Sequence, residues 1–591
     1  MAEPIQTSVV VIGGSLAGLS TALFLSARNV PVVVIERHKD SSVHPRAIGY
    51  THRTIELLRS VGIEDRIPSG RSKKGSGKPR RVQVDSLSGK WHDETYWTKP
   101  TQGGKPTGGP SGPSPAGGPG APGGPGQPSQ GKGPGGPPGH DDVARLSPCN
   151  ATAIAQDNME PLLRNRAVEL GADIRTGCKM VSFTQDEAGV TVTAVNTTSG
   201  DEFTIQAKYM VACDGARSAV REALGIKRSG VGPLRTLRSI MFRCPPIDKY
   251  LEHGIGQFTY DTPEFEGFLT TYMDGRWALM EHLKDPSAPH PDPDAQRALI
   301  RLAVGENEPL LDSDIELLTE GQWDLAALIA DRFSDGRVLL AGDAAHTLPP
   351  NRGGYGANTG IADAYDAAWK LAAVLSEKST PALLETYDAE RRPVALVRHD
   401  QIFARDDYKQ YLDPKSEWAT KEIPILDDIA MELGQLYRSD AIVSAELESL
   451  PDARRPDEWA GQPGTRAPHL WLNKGSEKIS TLDLFGKGWV LVSEDDDWGK
   501  ITSITSDLNS SKCEFVQIGG GGLQPVDGED AFRKAFGLEA SGAALIRPDG
   551  FVAWRTVESP DSTKGRALLD AFKKAACAQL YALLGNNRAY A

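Results

Sequence analysis

The segment from Ser8 to Glu36 restricts the fold more than any other part of the chain. An apolar run, Ser8–Ile12, leads into Gly13-Gly14-Ser15-Leu16-Ala17-Gly18; an apolar stretch, Leu16–Arg28, follows; Val30–Glu36 is a second apolar run. These read as a buried strand, a helix and another strand, a β-α-β unit whose strands lie parallel in a helix-covered sheet. The glycine run falls at the strand–helix turn. In the pattern G-x-G-x-x-G the first glycine makes the turn, the second lets backbone amides approach a pyrophosphate at the helix N-terminus, and the third packs helix on strand. Ser15 stands where the second glycine is usual. Glu36, with Arg37 beside it, ends the second strand about 20 residues on, where a carboxylate accepts from a ribose hydroxyl. This pattern alone leaves NAD and FAD equally open.

Two later turns narrow the choice. Val211-Ala212-Cys213-Asp214-Gly215-Ala216-Arg217-Ser218, with Arg221 a turn on, follows a predicted strand and opens a helix. Val338-Leu339-Leu340-Ala341-Gly342-Asp343-Ala344-Ala345-His346 is followed by Pro349-Pro350, then Gly353-Gly354-Tyr355-Gly356-Ala357-Asn358, Asp363-Ala364 and Trp369-Lys370-Leu371. An Asp at a strand's carboxyl end can accept from a ribityl hydroxyl, and a glycine-rich run before a helix frees amides to meet a flavin ring. Asp214-Gly215 also reads as an N-capped strand–helix turn, and His346 as either a packed residue or a proton shuttle.

The 591 residues carry 65 Lys+Arg against 78 Asp+Glu, a net charge of −13. That balance excludes a nucleic-acid binder. No apolar run reaches the ~18 residues a membrane span needs, and no signal peptide opens the chain, so a cytoplasmic location is expected. The six cysteines form no C-x-x-C, which excludes a zinc ribbon or thioredoxin-type redox pair; no metal site is expected. Residues 101–140 contain 27 Gly or Pro in 40 positions, without a steady collagen triplet, and are expected to form a disordered insertion. Beyond it, strands are expected at Val190–Val195, Phe203–Ala207, Tyr209–Cys213, Leu237–Cys244, Gly256–Tyr260, Gly267–Met273 and Arg276–His282. Helices are expected at Met159–Leu170, at Ala295–Val304 and over a long region from Ile361 to about Leu450. Strands at Gly486–Ser493, Cys513–Ile518 and Gly542–Arg547 and a helix at Ala567–Leu584 close the chain.

The three glycine-bearing motifs, in this order, resemble the group A flavin-dependent aromatic hydroxylases, the family of para-hydroxybenzoate and phenol hydroxylase. His44-Pro45-Arg46-Ala47, Arg53–Gly62, Gln156 ahead of Glu160-Pro161-Leu162-Leu163, and Tyr387 before Glu390-Arg391-Arg392-Pro393 add to the match. Gly464-Thr465-Arg466-Ala467-Pro468-His469 and Pro548-Asp549-Gly550-Phe551-Val552-Ala553-Trp554-Arg555 resemble the C-terminal thioredoxin-like domain of phenol hydroxylase and polyketide-tailoring members. The resemblance implies an α/β fold with a Rossmann-like FAD-binding domain (1–226 and, with a helical region, 331–450). It adds a β-sheet substrate domain (227–330) and a redox-inert thioredoxin-like domain (455–591). Asp366, where Asn is usual, and Asn351-Arg352, an extra residue before Gly353, depart from the pattern.

For the site, the resemblance implies FAD held by Gly13, Gly14, Ser15, Leu16, Ala17, Gly18, Glu36, Arg37, Arg46, Gln156, Asp214 and Asp343, with Gly354, Tyr355, Gly356, Ala357 and Asn358 along the flavin ring. Arg46, Pro349, Pro350 and Gly354 are the expected catalytic surroundings, and Tyr272, Trp277 and His282 the expected substrate contacts. The implied activity uses NAD(P)H, with NADPH the commoner donor, and O2 to hydroxylate a phenolic or polycyclic aromatic substrate through a flavin hydroperoxide. Baeyer–Villiger or epoxidising oxygen insertion on the same scaffold, and a non-catalytic ligand-sequestering flavoprotein, stay open, as does a homodimer.

Overall fold

The computed structural model describes residues 3–41, 44, 47–68, 80–96, 143–263, 265–350, 354–505 and 513–577. Arg46, the Gly/Pro-rich stretch 101–140 and Asn351–Gly353 lie outside them.

Val9–Ile12 is buried on both faces, as an apolar run with no polar alternation must be to form a stable strand. Its strand, Ile5–Ile12, lies parallel to Val32–Glu36 on one side and Glu202–Ala212 on the other. Asp173–Thr176 and Val338–Leu340 continue the parallel sheet outward. Helix Leu16–Ser26 is apolar all round and correspondingly buried, packed against helix Tyr355–Leu375. The two strands expected at Phe203–Ala207 and Tyr209–Cys213 are one, Glu202–Ala212: its first half pairs antiparallel with Val190–Asn196, and from Ile205 onward it lies parallel to Ile5–Ile12.

A second, mostly antiparallel sheet runs His346–Thr347, Glu316–Ala330, Arg228–Arg243, Arg276–Leu283, Glu266–Thr271, Gln257–Asp261, Arg80–Val84, Trp91–Tyr96. It is wider than the segment 227–330, because Arg80–Val84 and Trp91–Tyr96 join it from ahead of the insertion. One face is covered by helix Pro293–Val304, whose N-cap Asp292 accepts from the amides of Asp294 and Ala295. The other face turns toward the parallel sheet's domain.

Regular helix in the region expected to run to Leu450 is concentrated in Tyr355–Leu375 and Ala382–Phe403; the last helix before the irregular stretch ends at Leu433 with Gly434 as C-cap. Near the C-terminus, Trp489–Ser493, helix Asp497–Thr505 and Cys513–Gln517 form a parallel β-α-β unit. Ala543–Ile546, Val552–Thr556 and helix Ser562–Ala575 follow as an antiparallel pair and a covering helix.

A buried charge cluster fastens this C-terminal unit to the long helices. Arg547 donates to both oxygens of Glu390 (2.6 and 2.8 Å) and to Asp549 (2.6 Å), while Lys370 lies 2.8 Å from both Glu390 and Asp366. Burial alone would raise the Glu390 carboxyl, but Arg547 and Lys370 reverse that and hold it below the usual range. Asp366 goes the other way, its burial outweighing the pull of Lys370. Replacing Glu390 by Ala removes three buried charge-assisted hydrogen bonds at once, leaving Arg547 with Asp549 and Lys370 with Asp366. The expected cost is about 3–5 kcal/mol of unfolding free energy, and denaturant curves within error of wild type would refute the fastening. Because the folded Glu390 ionises more readily than the unfolded one, its contribution is complete above the unfolded value of about 4.3 and is lost as pH falls below it. The acid limb of a thermal-midpoint profile should therefore be shallower in Glu390→Ala than in wild type.

Candidate functional site

The glycine motif sits at the carboxyl end of the parallel sheet. Gly13 adopts φ +101° and donates to Ile35 O (2.8 Å). A Cβ on Gly18 would lie 1.8 Å from Gly13 O, so only glycine allows the helix to start this close to the strand. The Gly14 amide donates to Glu36 Oε2 at 2.6 Å, and His38 N donates to Glu36 Oε1 at 2.7 Å, which fixes the carboxylate beside the helix N-terminus. Arg37 is exposed and donates to His38. Leu16 and Ala17 form the first turn of the helix.

Ser15, the departure from glycine, is tied into a network. It donates to Glu160 Oε1 (2.8 Å) and accepts from Gln156 Nε2 (3.0 Å), which also donates to Glu160 (2.8 Å). Gln156 further pairs with Ala47, accepting from its amide on the side chain and donating to its carbonyl from the backbone. Glu160, part of the matching stretch after Gln156, was given no role from the sequence, although its spacing of four from Gln156 puts both on one helix face.

The Asp-Gly and Gly-Asp turns lie next to each other. Asp214 Oδ2 accepts from Val220 N (3.1 Å), while its buried Oδ1 has no hydrogen-bond partner among the described residues. Buried Arg221 donates to Ala344 O (2.9 Å) and Ala216 O (3.1 Å), pinning one turn to the other. Asp343 lies half-buried in the short helix Gly342–Ala344. His346 is sealed: Nε2 is 2.6 Å from Asp363 Oδ2, and Arg391 donates to Asp363 Oδ1 at 2.8 Å. Burial would raise Asp363, but Arg391 and His346 hold it below the ordinary carboxylate range.

Pro349 is buried; Pro350 is exposed, its carbonyl accepting from Tyr408 OH (2.6 Å). Gly354 caps helix Tyr355–Leu375, and Tyr355, Gly356, Ala357 and Asn358 form its first turn. The Asn358 side chain accepts from Thr51 N (3.0 Å) and Thr54 Oγ1 (2.6 Å) and donates to Gly49 O (3.1 Å) and Gly354 O (2.9 Å). It therefore ties the helix start to Gly49–Tyr50.

The expected substrate residues separate. Tyr272 shares the second sheet's inner face with Met241, Ala278 and Met280, against Ile48 and Ala155, each one residue from Gly49 or Gln156. Trp277 belongs to the opposite face, as strand alternation beside Ala278 requires; it is fully buried with Phe242 and Phe258 and donates to Asp248 Oδ1 (2.8 Å). Trp277 is thus a core residue, and Phe258 and Tyr260 go with it. His282 is at the rim of the inner face, paired with Glu266 (3.0 Å) and Arg235, whose guanidinium covers the Tyr411 ring. His44, unassigned from the sequence, reaches the inner face too, with Nε2 2.9 Å from Thr319 Oγ1 and Nδ1 3.3 Å from Ser239 Oγ, in space that a side chain on Gly321 would fill.

Comparison with known proteins matches residues 6–400 to the family model "FAD binding domain" and residues 460–575 to "Aromatic-ring hydroxylase, C-terminal". A 4-methyl-5-nitrocatechol 5-monooxygenase from Burkholderia sp is 34% identical over 97% of this chain and 98% of that protein. A tetracenomycin A2 monooxygenase-dioxygenase from Streptomyces glaucescens is 34% identical over 95% of each. The structure of an aklavinone-11 hydroxylase with FAD and aklavinone superimposes with TM-score 0.80 at 31% identity, covering 98% of this chain and 100% of that one. No helix among the described residues is long and apolar enough to cross a membrane.

Gly18→Ala should cost most of the bound flavin, read as visible absorbance per protein in the purified chain, because its new methyl collides with backbone. Asp343→Ala should lower occupancy severely as well. Full occupancy in both would overturn the placement of the cofactor at these turns.

Proposed function

Because the chain belongs to the FAD-binding aromatic-ring hydroxylases, which are flavin-dependent monooxygenases, we propose that it hydroxylates a fused-ring, polyketide-type phenol with NADPH and O2. The carrying observation is the shared wall. The apolar inner face around Met241, Tyr272, Ala278 and Met280 packs on Ile48 and Ala155, next to the backbone that carries Gly49 and Gln156. A flat aromatic ring held on that face would lie beside the turn at Gly354–Asn358.

The residues fit FAD. Glu36 and the orphaned Asp214 Oδ1 are acceptors suited to sugar hydroxyls, Asp343 suits a ribityl hydroxyl, and the bare amides at the start of helix Leu16–Ser26 suit a pyrophosphate. When bound there, FAD supplies hydride acceptance from the nicotinamide and activation of dioxygen. The chain's own contribution is placement and exclusion. The helix N-terminus at Tyr355 offers partial positive charge where negative charge develops, and the inner face of the second sheet keeps water from the reacting ring. Tyr272 orients the substrate in this reading, and Arg235, Glu266 and His282 form the polar rim of its pocket.

Two finer readings accompany this one. The arrangement of a parallel β-α-β unit followed by an antiparallel pair and a helix in residues 489–575 supports a thioredoxin-like domain that has lost redox function. Free cysteines with no C-x-x-C fit a reducing, cytoplasmic compartment, and the similarity to a tetracenomycin A2 monooxygenase-dioxygenase supports an enzyme of secondary metabolism.

The test is a panel of monocyclic and polycyclic phenols, scored by substrate-stimulated NADPH oxidation and by product mass. A polycyclic product heavier by one oxygen, its ring connectivity intact, is the expected result. An inserted ester oxygen or an epoxide would replace hydroxylation by the related insertion chemistry, and binding with no NADPH consumption would indicate a sequestering protein.

A further inference from the structure

The C-terminal unit makes a second buried fork. Arg466 donates through Nε to Glu56 Oε2 (2.9 Å) and through Nη2 to Glu56 Oε1 (2.6 Å) and Leu146 O (2.7 Å). Ser147 adds a hydrogen bond to Glu56 (2.6 Å), and Arg53 bridges Glu56 to Asp549 O. Arg466 and Glu56 are almost wholly shielded from solvent. Burial would raise Glu56, yet Arg466 and Arg53 hold it below its ordinary value. A bidentate guanidinium–carboxylate pair fixes orientation as well as distance.

Glu56 lies on helix His52–Arg59, whose first turn supplies Thr51 and Thr54 to Asn358, and Asn358 holds Gly49 O and Gly354 O. Ile55, Leu57 and Leu58 of the same helix are packed in the main core, while its polar residues face a small cavity. Beneath Thr51, Thr54 and Asn358 lies a polar cavity of about 30 Å³, also lined by Arg398, Glu432 and Arg466. Among the described residues, Arg466 Nη1, Arg398 Nε and both Glu432 oxygens have no hydrogen-bond partner, although Arg398 Nη2 lies 3.4 Å from Glu432 Oε2. Apolar packing holds the depth of the helix, and the two-pronged fork fixes the orientation of its polar side.

We infer that Arg466 is a positioning residue for oxygen insertion, acting from the C-terminal domain through Glu56 and Asn358 on the turn at Gly354. This rests on the reading that Gly354–Asn358 line the flavin ring. Arg547 forms the other fork, to Glu390, and the Lys370 and Asp366 that share this cluster lie well along the helix from that turn; its other partner, Asp549, meets the relay only through its backbone carbonyl on Arg53. It is the control for undocking without loss of the relay.

The experiment compares full-length holoenzymes of wild type, Arg466→Met, Arg466→Lys, Arg547→Met and Gly354→Ala. The readings are FAD dissociation constant, flavin visible spectrum, flavin reduction potential and thermal midpoint. Arg466→Met is expected to weaken FAD about tenfold and to shift both spectrum and potential, with partial rescue in Arg466→Lys, which keeps the charge without the fork. Arg547→Met is expected to lower the thermal midpoint as much while leaving FAD affinity within about twofold. Unchanged flavin properties in Arg466→Met, or losses in the two Met variants that track stability alone, would overturn the inference. Should Arg466→Met fail to fold, Glu56→Gln gives the same readings with the side-chain shape preserved. If Gly354→Ala leaves affinity and spectrum untouched, the placement of the flavin ring falls; if it alters them while Arg466→Met does not, only the role of Arg466 falls.

Discussion

One row of parallel pairing governs this molecule. Ile12 is in register with Ile35 on one side and Ala212 on the other, and Ala212 with Leu340. Each strand ends within a few residues of that row, so Gly13, Glu36, Asp214 and Asp343 emerge at one edge, with neighbouring strands about 4.8 Å apart. Turns distant in sequence become a continuous strip of acceptors and helix N-termini. Arg221 then joins two of them through backbone carbonyls, with no carboxylate paired to it among the described residues.

Much of that strip was legible in the sequence because its requirements are local. A glycine at which any Cβ would collide with backbone, or an Asp that must stand just past a strand, leaves a mark within ten residues. The second sheet was harder. Alternation separates Trp277 from Ala278, but both faces are buried, one under helix Pro293–Val304 and the other against the flavin-binding half, so polarity could not say which was inner. Glu316–Ala330 and Arg80–Val84 were missed because their polar residues blur the period of two, and their partners lie far away in the chain. The link from Arg466 to Glu56 spans 410 residues and has no local signature at all.

The two buried forks give the C-terminal unit a meaning beyond packing. Isolated buried charges are costly, yet here each carboxylate meets its guanidinium along two parallel hydrogen bonds and finds further donors nearby. Asp366 adds a third acid around Lys370 and Arg547, a local excess of negative charge that the usual Asn would avoid. Charge geometry thus orients an interface that apolar contacts, such as Trp369 on Trp489, also fill.

The central strand also sets a schedule for biosynthesis. Val32–Glu36 can flank it early, but its other neighbour waits for the stretch beginning at Ile205. At roughly 5–20 residues per second on the ribosome, one edge of a strand whose second half is wholly apolar stays open for about 10–40 s. That open edge is the kind of surface chaperones bind, and Glu56 and Glu390 receive their arginines only once residues 466 and 547 have been made.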